Sequence, residues 1–206
     1  MSVTIAVAKG RLAGVVFDRL EAAGFDCAAA REPGRKLVAE DASGALRFML
    51  VKPADVPTYV DHGVADAGVA GKDTLLEENR PLYELADLGF GQCRLCIAGD
   101  PARHAQALRA SVYRVATKYP RIAQTLYEQR GQPIEIIRLS GSVELAPLVG
   151  LSDVILDIVE SGETLRANSL DILEEICPVS ARLVVNPVAL KTKTEEIRAL
   201  IRALEI

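Results

Sequence analysis

β-rich apolar runs alternate with segments of helical period along almost the whole chain, and the connections between them are short. Residues 3–8 form an apolar strand that Lys9-Gly10 breaks. Residues 12–23 then carry Leu12, Val15, Val16 and Leu20 at helical spacing, with Gly24 as the stop. Residues 36–40 and 46–51 flank Asp41-Ala42-Ser43-Gly44 as a hairpin, 53–62 reads as a short helix, 65–70 as a buried strand and 72–78 as a helix. Segments 83–90 and 94–98 read as extended. After Gly99-Asp100-Pro101 the pattern restarts with strand 113–117, helix 121–129 ended by Gly131, strand 134–139, helix 142–149, strand 154–159 and a helix over 162–170. An extended stretch at 177–186 leads to a helix over 194–204 with Ile197, Leu200, Ile201 and Leu204 on one face. Repeated βα units with short connections predict an α/β fold with mainly parallel sheets. The restart near Gly99 predicts two lobes, and a cleft between two such lobes is a common place for a ligand.

Charge and cysteine usage narrow the partners. Lys and Arg number 24 against 28 Asp and Glu, a net charge of −4 over 206 residues, so no global basic field exists to hold nucleic acid. A polyanionic small ligand would depend on local cations and backbone amides. No apolar run approaches the ~20 residues of a membrane span. Residues 1–8 are too short and lack the basic start of a signal peptide. Together these predict a cytoplasmic protein with no membrane association. Cys93 and Cys96 form a C-x-x-C on a strand, where residues three apart point to opposite faces and the thiols do not converge. With only His62 and His104 as imidazoles, Cys27, Cys93, Cys96 and Cys177 read as buried structural thiols, and no metal held by the protein is expected.

The segment richest in chemistry is Asp157-Ile158-Val159-Glu160-Ser161-Gly162-Glu163-Thr164-Leu165. A buried strand runs into a short loop that opens a helix. Gly162 lets the backbone approach an anion, Ser161 and Thr164 add hydroxyl donors, and the first free N–H groups of the helix, through Leu165, complete a cradle. The dipole adds about 0.3–1 kcal/mol. Asp157 and Glu160, just before the loop, can accept hydrogen bonds from ribose hydroxyls. Acid, acid and then a hydroxyl-rich phosphate loop suits a ribose 5-phosphate. Plain helix capping accounts for Ser161-Gly162 but not for the whole string. Glu163 suits the dipole yet repels a phosphate, so the reading requires its side chain to face solvent.

The run Asp157 to Asn168 closely resembles the phosphoribosyl-pyrophosphate loop of ATP phosphoribosyltransferases. Further segments resemble that family in the same order: Ala8-Lys9-Gly10-Arg11-Leu12, Gly34-Arg35-Lys36-Leu37, Ala54-Asp55-Val56-Pro57-Thr58-Tyr59-Val60, Gly68-Val69-Ala70-Gly71-Lys72-Asp73, Asp87-Leu88-Gly89-Phe90-Gly91-Gln92-Cys93, Val115-Ala116-Thr117-Lys118-Tyr119-Pro120 and Gly141-Ser142-Val143-Glu144-Leu145-Ala146-Pro147. The resemblance implies a two-lobed fold like that of type II periplasmic binding proteins, with the active site in the interdomain cleft. Residues 1–91 with 179–206 would form a discontinuous first domain, and 92–178 a second carrying the loop. It also implies the short form of the enzyme, which lacks a C-terminal regulatory domain. Such a chain is expected as a homodimer within a hetero-oligomer, paired with a regulatory subunit resembling histidyl-tRNA synthetase.

The implied reaction joins N1 of the adenine in ATP to C1 of the ribose, and pyrophosphate leaves. N1 has a free lone pair, so no general base is needed, which fits a chain with no Ser–His–Asp or Cys–His signature. Catalysis then rests on aligning two substrates and neutralising the departing charge. Mg²⁺ would arrive bound to the substrate, with pyrophosphate oxygens and water as its main ligands. Lys9 and Arg11 follow the first strand, where α/β sheets bind ligands, and Arg35 precedes the second. Taken alone, a cation in such a place is more often solvated than catalytic. The resemblance places Arg11 and Arg35 near the pyrophosphate or the ATP phosphates, with Lys9 as a substrate contact, and the arginine fork suits that task. Gly68-Val69-Ala70-Gly71-Lys72-Asp73 is not a P-loop, because two residues rather than four separate the glycines and Asp73 stands where Ser or Thr should be. Gly71 and Asp73 remain candidates for bordering the nucleotide, with plain turn geometry equally open.

Two other readings compete. A cytosolic two-lobed small-molecule binding module would need the cleft but not paired acids leading into a phosphate loop. A phosphoribosyltransferase acting on a free nucleobase often has its two acids adjacent, whereas Ile158-Val159 separates Asp157 from Glu160 here.

Overall fold

The computed structural model describes residues 2–107 and 112–204. Its chain divides into two units, Met1–Gly91 with Ser180–Ile206, and Gln92–Val179. The first unit begins with β1 (Val3–Ala8), α1 (Arg11–Ala22), α2 (Ala28–Arg31), the hairpin β2 (Val38–Glu40) and β3 (Leu46–Val51), α3 (Val56–Asp61), β4 (Ala67–Gly71), α4 (Lys72–Glu78) and β5 (Tyr83–Asp87). The second unit holds β6 (Cys93–Gly99), α5 (Pro101–Ala107), β7 (Tyr113–Thr117), α6 (Pro120–Gln129), β8 (Ile134–Arg138), α7 (Leu145–Leu148), β9 (Val154–Val159), α8 (Glu163–Ala167) and β10 (Asp171–Val179). The chain returns to the first unit as β11 (Ala181–Val185), α9 (Pro187–Thr192) and α10 (Thr194–Leu204).

The first sheet has the order β2-β3-β1-β4-β11-β5. Successive side chains of a strand face opposite ways, and β1 feeds two cores accordingly. Val3, Ile5 and Val7 pack with Val16, Phe17 and Leu20 of α1 and with Leu200 and Leu204 of α10. Ala6 and Ala8 face Val56 and Val60 of α3. Small residues on that face let α3 lie close. A Cβ at Gly68 would sit 2.7 Å from Val56 Cγ1 and 2.8 Å from Val60 Cγ2. Helix α1 ends where Gly24 adopts φ +95°, and the Phe25 amide reaches back to the Leu20 carbonyl at 3.0 Å. The junction of α9 and α10 ties to the first strand through Asp66, whose Oδ2 accepts from the Thr4 amide and from Lys193 Nζ, each at 2.7 Å.

The second sheet has the order β10-β6-β9-β7-β8. Leu95, Ile97, Tyr113, Val115, Val154 and Leu156 face Ala123 and Tyr127 of α6. Cys96, Ala98, Ala116 and Ile155 face Ala146 of α7 and Leu165 of α8. Cys93 packs with the first set and Cys96 with the second, so the two thiols point to opposite faces. All four cysteines are free, and burial pushes the Cys27 thiol up to about 12.

The units share one winding pattern. In the first, the chain leaves β1 for β3 on one side, then crosses back to β4 on the other, with α1 and α3 on opposite faces. In the second, it leaves β7 for β8 and crosses back to β9, with α6 and α7 on opposite faces. Each crossing makes a crevice outside the carboxyl ends of two parallel strands, β1 and β4 in one unit and β7 and β9 in the other.

Several expectations are corrected. The sheets are mixed rather than mainly parallel: four pairings are parallel and five antiparallel among the described residues. The helix expected over 162–170 stops at Ala167, and 171–179 is an edge strand whose two register shifts against β6 erase the alternation that would have marked it. The helix expected over 142–149 is helical only at Leu145–Leu148, since Ser142 has φ +48°. Helix α9 was not expected, although Asn186-Pro187 announces it. The Asn186 side-chain oxygen Oδ1 accepts from the Val188 and Ala189 amides at 2.8 and 3.3 Å, and Pro187 opens the first turn.

Gly68→Ala should lower unfolding free energy by about 1–3 kcal/mol, because α3 must move away. Gly14→Ala, inside α1 with nothing within 4 Å of the new methyl, should raise it by about 0.5–1 kcal/mol. Urea unfolding of both variants checks this pair.

Candidate functional site

In the second unit, β9 delivers Glu160-Ser161-Gly162 to the crevice beside the carboxyl end of β7. Gly162 takes the left-handed conformation, φ +73°, before α8, which a residue with a side chain adopts at a cost. Ser161 Oγ accepts from the Glu163 amide at 3.3 Å, a local turn bond rather than a helix cap. Ser161, Glu163 and Thr164 are exposed, so Glu163 meets the condition that it face solvent. Leu165 is different. Its side chain is buried in the core under the loop, so only its main chain is placed for a ligand. Helix α8 has five residues, and its aligned dipole is correspondingly small, so an anion here would depend on the loop donors and nearby cations.

Asp157 sits one turn of strand before the loop. Its Oδ1 accepts from the Ile158 amide at 2.9 Å and lies 3.4 Å from Lys118 Nζ. Burial pushes its carboxyl above the usual range, Lys118 pulls it down, and Glu144 adds a smaller upward push. A half-buried carboxylate held beside one lysine is an acceptor with a fixed orientation. Lys118 stands just past β7, and that turn is itself fixed: Thr117 Oγ1 donates to the Leu156 carbonyl at 2.6 Å and accepts from the Tyr119 amide at 2.8 Å. Arg166 folds back so that its guanidinium would lie 3.4 Å from a Cβ at Gly162. Lys118 and Arg166 are therefore cations at this loop that the sequence reading did not select. Both lay inside the compared segments, and only the crossing of β7 and β9 shows that Lys118 approaches Asp157.

In the first unit, β1 is followed by Lys9, whose amide donates to the Val51 carbonyl at 3.0 Å. Gly10 has φ +116° and ψ −154°, open to glycine alone, and turns the chain into α1. A cavity of about 440 Å³ lies here, and Lys9, Gly10, Gly14, Phe17, Arg31 and Gly34 are among its walls. Arg31 is the missed residue of this unit. Its guanidinium lies 5.7 Å from the centre of the Phe17 ring and pairs with Asp18 at 2.5 Å and Glu21 at 2.8 Å. Arg11, the first residue of α1, and Arg35, beside Gly34, are exposed and flank the cavity in sequence without lining it.

Gly71 and Asp73 lie at the carboxyl end of β4, next to β1 in the same sheet. Gly71 has an ordinary φ of −66°. The Asp73 carboxylate lies where a Cβ would begin, so a side chain here would push that flexible carboxylate aside. This pair forms a turn at the same crevice as Lys9, outside the described cavity. Among the described residues, no group of three or more His, Cys, Asp or Glu is placed to hold a metal ion.

Comparison with known proteins bears on what these two crevices serve. A family model for ATP phosphoribosyltransferase (HisG) matches residues 52–206. The chain is 52% identical over 204 residues to an ATP phosphoribosyltransferase of Lachnoclostridium phytofermentans, covering 98% of this chain and 95% of that protein. It is 47% identical over 204 residues to one of Bacillus mycoides, covering 99% and 96%. Among solved structures, it superposes with TM-score 0.86 and 38% identity on a chain of the ATP phosphoribosyl transferase (HisG:HisZ) complex from Thermotoga maritima, over 98% of this chain and 96% of that one. The VFT2 domain of Bordetella pertussis BvgS shares the fold, with TM-score 0.60 at 13% identity over 98% of this chain and 86% of that one. With a family model spanning most of its length and relatives near half identity end to end, the chain belongs to the ATP phosphoribosyltransferase family.

Proposed function

We propose that this chain transfers the phosphoribosyl group of phosphoribosyl pyrophosphate to N1 of ATP, releasing pyrophosphate, as the first step of histidine biosynthesis. The observation that carries this reading is the run from Asp157 to Thr164 at the winding crevice of the second unit, with Lys118 and Arg166 beside it. Ser161, the Gly162 backbone and Thr164 hold the 5-phosphate, while Asp157 and Glu160 accept from the ribose hydroxyls. Lys9, Arg11 and Arg35 of the first unit bind and neutralise the polyphosphate groups, and Gly71 and Asp73 border the nucleotide. No residue needs to remove a proton before N1 attacks, so the chain contributes alignment and charge.

A divalent ion, read here as Mg²⁺, would supply further neutralisation of the pyrophosphate. Asp157 and Glu160 are the carboxylates at the loop, and Asp157 is already engaged by Lys118. That donor set suits an ion bound mainly through substrate oxygens and water. The T. maritima relative was solved as a HisG:HisZ complex, which supports a regulatory partner here as well, with this chain as a homodimer within the assembly. No described helix is long and apolar enough to cross a membrane, which accords with a cytoplasmic biosynthetic enzyme. The binding-module alternative leaves the acids and hydroxyls of the loop without a task.

Incubation with ATP, phosphoribosyl pyrophosphate, Mg²⁺ and pyrophosphatase should yield phosphoribosyl-ATP, faster with the regulatory subunit added. Absence of product in both conditions, from folded protein, would sink the enzyme reading. Arg35→Ala should lower kcat more than it raises KM, which steady-state kinetics resolves. Asp157→Asn should separate stability from function. Because the folded state raises the Asp157 carboxyl, that group favours folding most below the usual carboxylate range, and the benefit is lost as pH rises through the raised value. The variant should therefore resist urea better than the parent at neutral pH, with the difference closing as pH falls. Its affinity for phosphoribosyl pyrophosphate should drop by about tenfold or more, as titration calorimetry would read.

A further inference from the structure

Two covalent links join the units, one where Gly91 passes to Gln92 and one where Val179 passes back to Ser180. The links leave each unit side by side. In the second unit, Cys93 opens β6 directly opposite Val179, the end of β10. In the first, the Leu88 amide donates to the Ala181 carbonyl and the Ala181 amide to the Phe90 carbonyl, each at 2.9 Å. Gly89 and Gly91 have φ of +71° and +63°, so the outgoing link turns on two residues with wide backbone freedom.

Asp87, the last residue of β5, holds both links at this point. Its Oδ1 accepts from the Ser180 hydroxyl at 2.7 Å, on the returning link, and from the Gly89 amide at 3.0 Å, on the outgoing one. Its Oδ2 lies 2.9 Å from Nη2 of Arg182, its opposite number in the β5–β11 ladder. The Ser180 and Gly89 hydrogen bonds, with the Arg182 charge behind them, hold the carboxyl below its usual range, so it is ionised at neutral pH. The contacts run on to the Gly71 turn. Arg182 Nη1 donates to Glu84 at 3.1 Å, Glu84 accepts from Lys72 Nζ at 2.6 Å, and the Lys72 amide donates to the Ser180 carbonyl at 3.0 Å. Gly71 itself lies opposite Ala181. The returning link therefore enters the first unit beside the turn proposed to border the nucleotide.

As a source of stability this cluster is modest, because the Asp87 side chain is 48% exposed and ion pairs in contact with water contribute little. Its effect is directional. Ser180 is buried, and its one hydroxyl proton is committed to Asp87.

We propose that Asp87 is a positioning residue for the transfer reaction: by binding Ser180 and Gly89 together it fixes the path of both links, and so lets the residues of the two units act on one pair of substrates. This rests on the transferase reading, in which Lys9, Arg11 and Arg35 belong to one unit and the phosphate loop to the other.

Steady-state kinetics of the full chain with its regulatory subunit tests the proposal, together with time-resolved energy transfer between fluorophores on the exposed residues Glu128 and Arg198, one in each unit. Asp87→Ala should lower kcat about tenfold or more. Its affinity for phosphoribosyl pyrophosphate, read by calorimetry, should stay within about twofold of the parent, since the loop is untouched. The distribution of distances between the fluorophores should broaden. Asp87→Asn, which keeps an oxygen acceptor, should fall between parent and Asp87→Ala. Ser180→Ala frees the returning link and should act in the same direction, even if Asp87→Ala does not fold. Adding Ser180→Ala to Asp87→Ala should cost little more, because the two side chains act through one bond. Unchanged kcat, or an unchanged distance distribution, in both single alanine variants would overturn the proposal. So would a loss of kcat matched by a loss of affinity for phosphoribosyl pyrophosphate. Failure of the parent to form product would sink the transferase reading instead, and the distance distributions would then decide alone whether Asp87 holds the links.

Discussion

Parallel neighbours in a sheet cannot be joined by a tight turn, so the chain must cross a face of the sheet between them. Everything functional here follows from that constraint being met twice. From β1 and from β7 the chain winds first to one side and then to the other, covering opposite faces with its helices. Where the direction reverses, the crossover helices lie on opposite faces and leave a crevice outside the carboxyl ends of the two central strands. Lys9-Gly10 and Gly71 emerge at one such opening, and Lys118 and Glu160-Ser161-Gly162 at the other. The candidate site residues thus follow strands buried on both faces and project from turns of a few residues.

The chain handles an anionic substrate without a cationic body. Its net charge is −4, and the cations near the loop are individually held. Lys118 is tethered to Asp157, and Arg166 folds back over Gly162. Asp157 shows what such an arrangement costs. Its carboxyl is desolvated enough to raise its proton affinity despite the lysine, which weakens the folded state at neutral pH. A core residue chosen for stability alone would carry no such charge, whereas the acceptor role proposed for Asp157 requires one.

Glycines mark three different physical demands in these turns. Gly10 and Gly162 are needed for backbone angles, since both have positive φ. Gly71 has ordinary angles, and its missing side chain leaves room for the Asp73 carboxylate to lie against it. Gly14 answers to neither demand, and its missing side chain leaves room along the cavity of the first unit.

Much of this was legible in the residue order alone. The alternation of strand and helix, the stops at Gly24 and Gly131, the opposed thiols of Cys93 and Cys96 and the acid-to-hydroxyl loop at 157–164 are local features, set by side-chain periodicity and turn chemistry within a few residues. Pairing direction is not local. β6, β10 and β11 run antiparallel to their neighbours because of where the chain crosses between units, and the register shifts of β10 hid it from any alternation test. The same limit applied to the site. Sequence could mark Asp157 and Ser161 because they share one turn, but Lys118 meets Asp157 across 39 positions, and Arg31 joins Lys9 at a cavity across 22. Those neighbourhoods arise only when parallel strands align their carboxyl ends, a long-range condition that tertiary packing decides.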